Sequence, residues 1–318
     1  MKAFKNFIAV LLVFSFNLYS NKISDAIDAG IRWLKVSQNS DGSWGGDTTV
    51  STYVSTATVC EALGVLNPSD SLYIKGITYL DSLEVKNSGH LSQKIKALAP
   101  SDVNITSLQD TLLSYYSPPI GGFTFDKEKR DVLSTAFALI SLHESNYSVN
   151  ENIGWSIGYL MDEQDTAGFW RYNDENISNI YLTALTLISL ERFHGIYDLS
   201  TQIKNGISWL LSQQNTNGSF GKDTTSIYES ALSLMALQGG YGLEGIGYRE
   251  GIDYRVIWYS AINKTKNFLL SLQDSDGSWN NNAYETALII LVSKIGKLPL
   301  TGRKHLLDLA NSFGRVVI

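Results

Sequence analysis

The chain has a single cysteine, Cys60, among 318 residues. One thiol makes no internal disulfide and cannot build a multi-cysteine zinc site. Set in the apolar run Ala57–Leu63, it reads as a small core residue. Histidine is scarce too. His90, His143, His194 and His305 are the whole supply, and no two stand at the i, i+4 spacing of a helical metal motif. No metal and no cofactor is therefore expected. Positive charge is in deficit, 25 Lys and Arg against 31 Asp and Glu, and no basic cluster occurs. That argues against nucleic acid and against anionic membrane surfaces as partners. Long hydrophobic runs are missing as well. The apolar stretch Phe7–Phe14 follows Lys2 and Lys5 and leads through small and polar residues to Ser20. This is the layout of a secretory signal peptide spanning residues 1–20. A single membrane anchor is the alternative, but the run is short for a bilayer. No cysteine stands at the expected cut, which disfavours a lipoprotein. The mature chain is expected to be secreted or periplasmic, without a membrane span.

What the chain has in plenty is one phrase, written four times. An aromatic-Leu pair is followed by a Gln, then three residues, Gly, one residue and an aromatic. The copies end in Gln38-Gly42-Trp44, Gln164-Gly168-Trp170, Gln214-Gly218-Phe220 and Gln273-Gly277-Trp279. A fixed phrase repeated along a chain marks a repeated supersecondary unit. Each phrase closes a first helix with three-and-four apolar spacing, breaks it at a Gly that permits a positive φ, and precedes a second helix. The second helices centre on Thr56-Ala57, Thr135-Ala136, Thr183-Ala184, Ser230-Ala231 and Thr286-Ala287. They are apolar nearly all round, so they are expected to be buried on every side. The first helices carry charge on one face, as at Asp25, Asp28, Arg32 and Lys35. Buried second helices inside amphipathic first helices imply two concentric rings.

Gln38 and Gln164 stand far enough apart for three units of about 42 residues each. Two degenerate copies fill the gap, one around Ile77–Leu80 and Ile95–Leu98, the other around Leu112, Gly121-Gly122-Phe123 and the Asp131–Leu142 helix. Six helix pairs can close into a ring that leaves no end uncovered. The expectation is one all-α domain over residues 21–318, an α/α toroid, with a last helix over Lys304–Phe313.

The Gln-x-x-x-Gly-x-Trp/Phe phrase resembles the repeat of squalene and oxidosqualene cyclases, and related repeats occur in the β subunits of protein prenyltransferases. The resemblance covers most of the chain. It implies an α/α toroid in which the Gln and aromatic of each repeat tie neighbouring helix ends together. Complement thioester domains, cobalamin carriers and, more loosely, secreted polysaccharide lyases of the pectate lyase type share that toroid. The family's catalytic residues do not carry over. The Asp-x-Asp-Asp acid motif of a cyclase is absent, and the nearest acidic strings, Asp174-Glu175 and Asp274-Ser275-Asp276, fall in repeat loops. The prenyltransferase zinc set requires an Asp where Thr58 stands, two residues before Cys60. The thioester Cys-Gly-Glu-Gln is absent, since Cys60 is followed by Glu61-Ala62.

Any chemistry must then come from the starts of the inner helices. Tyr181, Tyr228 and Tyr284 each stand two residues before a Ser/Thr-Ala pair, with Glu229 and Glu285 next to the last two and Tyr53 shifted by one place. An aromatic arc suits a ligand with an apolar or sugar face, and two carboxylates could act as acid and base. The bland alternative is that the tyrosines cap the core. Asp47-Thr48-Thr49 and Asp223-Thr224-Thr225 read as helix caps, Asp41 and Asp276 as turn residues. A Gly-rich insertion, Gln238–Gly251 with Tyr241 and Tyr248, is a candidate binding loop expected close to Tyr228 and Tyr284. Three functions compete: an exported toroid that binds a small molecule, glycan or protein without cyclase or prenyltransferase chemistry, which is preferred; a secreted polysaccharide lyase or hydrolase; and a divergent terpenoid cyclase.

Overall fold

The computed structural model describes residues 22–46, 48–172, 179–222, 226–241, 243, 248–249, 252–253 and 255–295. The expected signal peptide, Asp47, Asp174-Glu175, Asp223-Thr224-Thr225 and the Lys304–Phe313 helix lie outside these residues. Tyr248 is described by its backbone alone.

Among the described residues, six first helices alternate with six second helices. The first set is α1 (22–36), α3 (Ser71–Asp81), α5 (Thr106–Leu113), α7 (Glu151–Asp162), α9 (Ser200–Ser212) and α11 (Arg255–Ser271). The second set is α2 (Thr49–Leu66), α4 (Ser88–Leu98), α6 (Val132–Glu144), α8 (Ile180–Phe193), α10 (Ile227–Tyr241) and α12 (Ala283–Ile295). Apart from these, β1 (Tyr248–Arg249) and β2 (Ile252–Asp253) form a short antiparallel ribbon. The fold is the all-α toroid that the repeats predict. Each second helix packs on the next in the order α2, α4, α6, α8, α10, α12, and α12 packs back on α2. The inner ring is therefore closed.

The inner helices are buried as their composition requires. In α8 every residue from Leu182 to Glu191 is buried. Their starts are capped by short polar side chains. Asp131 caps α6, Asn179 caps α8, and Thr48 with Ser51 makes a capping box on α2. Each supplies an acceptor to backbone N–H groups that no helical carbonyl can reach.

The repeat phrase works as a staple. Its Gln side-chain amide donates both to its own loop and to the next outer helix. Gln38 bonds Gly42 O and Leu72 O, Gln164 bonds Gly168 O and Gln202 O, and Gln214 bonds Ala261 O. Gln273 bonds Ala26 O at 2.8 Å, so α11 is fastened to α1 and the outer ring closes too. The aromatic is fully buried and joined to both rings. Trp44, Trp170 and Trp279 each donate Nε1–H to the Leu of the preceding outer helix at 2.7 Å. Their backbone N–H groups donate to Thr56, Thr183 and Thr286 of the inner helices, and Phe220 and Phe123 do the same with Ser230 and Thr135. The small hydroxyl residue of the Ser/Thr-Ala pair is thus a hydrogen-bond partner as well as a spacer. Each indole lies against a glycine of the following outer helix, Gly76, Gly206 or Gly30.

Both degenerate units are fastened differently. In the second, the buried Lys94 ammonium donates to Asp81 O and Leu83 O at 3.1 Å. In the third, the Arg130 guanidinium donates to Gly121 O at 3.0 Å and sits 4.2 Å over the Tyr159 ring. In both units a cation holds the loop carbonyls, and Arg130 alone also reaches the next outer helix.

Candidate functional site

The closed inner ring encloses a cavity of about 330 Å³, to which all six inner helices contribute. Lining positions recur at the four-three-four spacing of one helix face. On α8 they are Tyr181, Leu185, Ile188 and Arg192; on α2 they are Val54, Thr58, Glu61 and Val65. The cavity therefore has layers, and their chemistry changes from end to end.

At the starts of the inner helices three tyrosines occupy one arc. Tyr181 stacks on Tyr228 with ring centroids 4.9 Å apart, and Tyr228 meets Tyr284 at 5.6 Å. Burial pushes up the pKa of all three phenols, and the charge of a neighbouring tyrosine adds to it in each. They remain neutral donors and acceptors at any ordinary pH. Below them α8, α10 and α12 present an apolar wall, Leu185, Leu232 and Leu288 followed by Ile188, Met235 and Leu291, while α2 places Thr58 and Glu61 at the same two levels. Phe137 and Ile140 of α6 continue the same surface.

At the far end charge appears. Glu61 pairs with Lys96 at 2.8 Å, and Arg192 Nε donates to Glu144 Oε1 at 2.7 Å. These four side chains come from α2, α4, α6 and α8 in succession and form one polar arc. Burial alone would raise the Glu144 pKa, but Arg192 and then Lys96 outweigh it and hold the carboxyl below its usual range. Glu144 is ionised and is no proton donor.

The other sequence candidates sit elsewhere. Tyr53 is buried, stacks near His90 with centroids 5.0 Å apart, and donates its hydroxyl to His90 O at 2.7 Å. Glu229 and Glu285 begin α10 and α12, but neither lines the cavity. Glu285 accepts from Asn280 at 2.7 Å, and burial raises its pKa. The described start of the Gly-rich segment lies away from the tyrosines. Gln238–Tyr241 is the last turn of α10, about 15 to 20 Å along the helix from Tyr228 at 1.5 Å per residue. The insertion leaves the end of the inner helix opposite the tyrosines, because α10 continues through both glycines. Tyr241 packs edge-on to Trp258 at 5.7 Å rather than joining the arc.

Sequence reasoning missed the polar arc. Extending the tyrosine register down each helix by four, three and four residues would have found Arg192. It also missed Glu191, which is buried with neither carboxyl oxygen hydrogen-bonded. Glu191 lies against Gly239 and Gly240, and burial raises its pKa well above the ordinary value. Among the described residues no His, Cys, Asp or Glu group could hold a metal ion.

Residues 121–289, more than half of the chain, match the squalene-hopene cyclase C-terminal domain family. The chain belongs to that family. The matched stretch begins at the turn before α6 and ends within α12, so it holds α6 and the three helix pairs that follow, α12 in part. A probable squalene–hopene cyclase of Sinorhizobium fredii is 24% identical over 169 residues, which are 51% of this chain and 25% of that protein. The match thus spans about a quarter of the curated relative's length. Among solved structures, the type II terpene cyclase MstE from Scytonema superposes with a TM-score of 0.67 at 16% identity, covering 88% of this chain and 98% of that one. The GH76A α-1,6-mannanase from Salegentibacter sp. HEL1_6 superposes with a TM-score of 0.65 at 12% identity, covering 87% and 99%. At such identities these structures share the fold.

Proposed function

We propose that the central cavity binds an elongated, mainly apolar small molecule of isoprenoid character and holds it without cyclising it. The observation that carries this reading is the apolar wall that α6, α8, α10 and α12 present between the tyrosine arc and Arg192. The cavity volume falls at the small end of ligand pockets, which run from about 300 to 1,000 Å³. Family members named as squalene–hopene cyclases make an isoprenoid the natural occupant. Cyclisation of the kind their names imply needs a carboxylic acid kept protonated beside the chain. Here the two lining carboxylates, Glu61 and Glu144, are each engaged by a cation, and the buried Glu191 faces glycines instead of the cavity. Residues 1–20 favour a site of action outside the cytoplasm.

Titration of the purified protein with a C15 isoprenoid alcohol, followed by displacement of a neutral solvatochromic dye, tests the proposal. Saturable one-to-one binding is expected, and Leu232→Trp, which fills the middle layer, should abolish it. Recovery of a cyclised product from incubation with squalene would return the divergent-cyclase reading. A second reading, a secreted glycan-acting enzyme, draws on the tyrosine arc and on the toroid of the α-1,6-mannanase. Turnover on a polysaccharide panel, with no isoprenoid binding, would favour it.

A further inference from the structure

The polar arc has a feature that an internal ion-pair network does not need. Glu144 is bonded to Arg192 at 2.7 Å, and the charge of Lys96, which is paired with Glu61, also acts on it. Both cations stand on cavity-lining positions, in register with the apolar layers. Charged side chains on such a face lose hydration and gain less than hydrophobic residues would. Met235 and Leu291, one layer nearer the tyrosines than Arg192, are apolar. Glu144 is also the most exposed lining member of the group besides being the last residue of α6, with 40% of its side chain accessible against 20% for Arg192 and 14% for Lys96. The cations are thus less exposed, and the Glu144 carboxylate sits at the rim.

We infer that Glu144 is an internal stand-in for the head group of the ligand, and that Lys96 and Arg192 form a site for an anion at the end of an apolar chain. The inference rests on the cavity reading above. A ligand carboxylate or phosphate enters between the two cations while Glu144 swings outward to water, and the chain lies along Ile188, Met235 and Leu291. Arginine suits this exchange because its planar guanidinium takes either oxyanion in the geometry it offers Glu144. Glu61 keeps Lys96 in place throughout.

The test compares three ligands sharing one C15 isoprenoid chain: the alcohol, the carboxylic acid and the monophosphate. Inorganic phosphate is the control without a chain. For the natural sequence, the acid, the monophosphate or both should bind at least tenfold more tightly than the alcohol, and inorganic phosphate alone should bind far more weakly. Which anion gains more identifies the head group. Glu144→Gln should raise the ratio of anion to alcohol affinity severalfold, because the competing carboxylate is gone. The double variant Glu144→Gln with Arg192→Gln, which leaves no unpaired carboxylate to destabilise the fold, should bring the ratio towards one. Thermal melts establish that each variant is folded. Equal affinity for alcohol and anions, in the natural sequence and in Glu144→Gln alike, overturns the head-group site and leaves the cavity reading intact. Failure of all three chain ligands overturns both.

Discussion

At the scale of single residues, the repeat glycines and indoles carry opposite kinds of constraint. Gly218 has φ +93°, and an added Cβ would stand 2.5 Å from Lys264 O, a backbone atom that cannot move aside. Gly158, in α7, has nothing within 4 Å. Gly218→Ala should therefore destabilise by more than about 1 kcal/mol, whereas Gly158→Ala should stabilise by about 0.4–1 kcal/mol through the unfolded chain. Urea titration of the two variants checks both signs. Trp170→Phe keeps a ring in the core but strands the Leu160 carbonyl, now bonded at 2.7 Å, and should cost about 1–3 kcal/mol. Glu191 offers a pH test. Burial raises its folded pKa above the ordinary 4.5, so the unfolded chain releases its proton first as pH rises. Stability is then lost progressively above about pH 4.5, and Glu191→Gln should stabilise at neutral pH, with the gain vanishing in acid. A variant equally stable or weaker at pH 7 contradicts this.

At the scale of elements, the phrase was legible because its partners are local: Gln and Gly four residues apart, indole and Leu carbonyl ten apart. The degenerate units were legible only as spacing. Lys94 reaches its carbonyls from the following inner helix, across 13 and 11 residues, and no pattern of the phrase predicts a lysine there. Lys94→Met should cost about as much as Gln214→Ala, on the order of 1–3 kcal/mol, since either leaves buried or half-buried carbonyls unpaired. Equilibrium unfolding of the pair provides the comparison. The tyrosine arc was readable because three consecutive repeats align on Ser/Thr-Ala. The polar arc was not. In helices buried all round, composition does not say which face meets the cavity, and Glu144 or Arg192 read as ordinary residues at a helix end. The Gly-rich run misled for a related reason. Two glycines in a row usually break a helix, yet here Gly240 lets Trp258 and Glu191 come close and α10 continues to Tyr241.

At the scale of the molecule, ring closure makes every helix pair an interior pair. A single cut in the exposed 146–150 connection leaves each new end with its neighbour in place, since α6 still packs on α7 and α8. Nicked protein should elute as one particle in size-exclusion chromatography and separate into two only in denaturant. The same closure also governs how the protein comes to exist. The Gln273–Ala26 bond joins residues 247 apart, and α12 covers a face of α2 that no earlier helix covers. Loop entropy barely opposes so long a closure, since it grows only with the logarithm of length. Synthesis order opposes it more. Until α12 leaves the ribosome, α2 and α10 each carry an apolar flank with no occupant, and such surfaces are where growing chains aggregate. The sixth pair is the keystone of an arch built from one side, and the half-built arch is the form most in need of a chaperone.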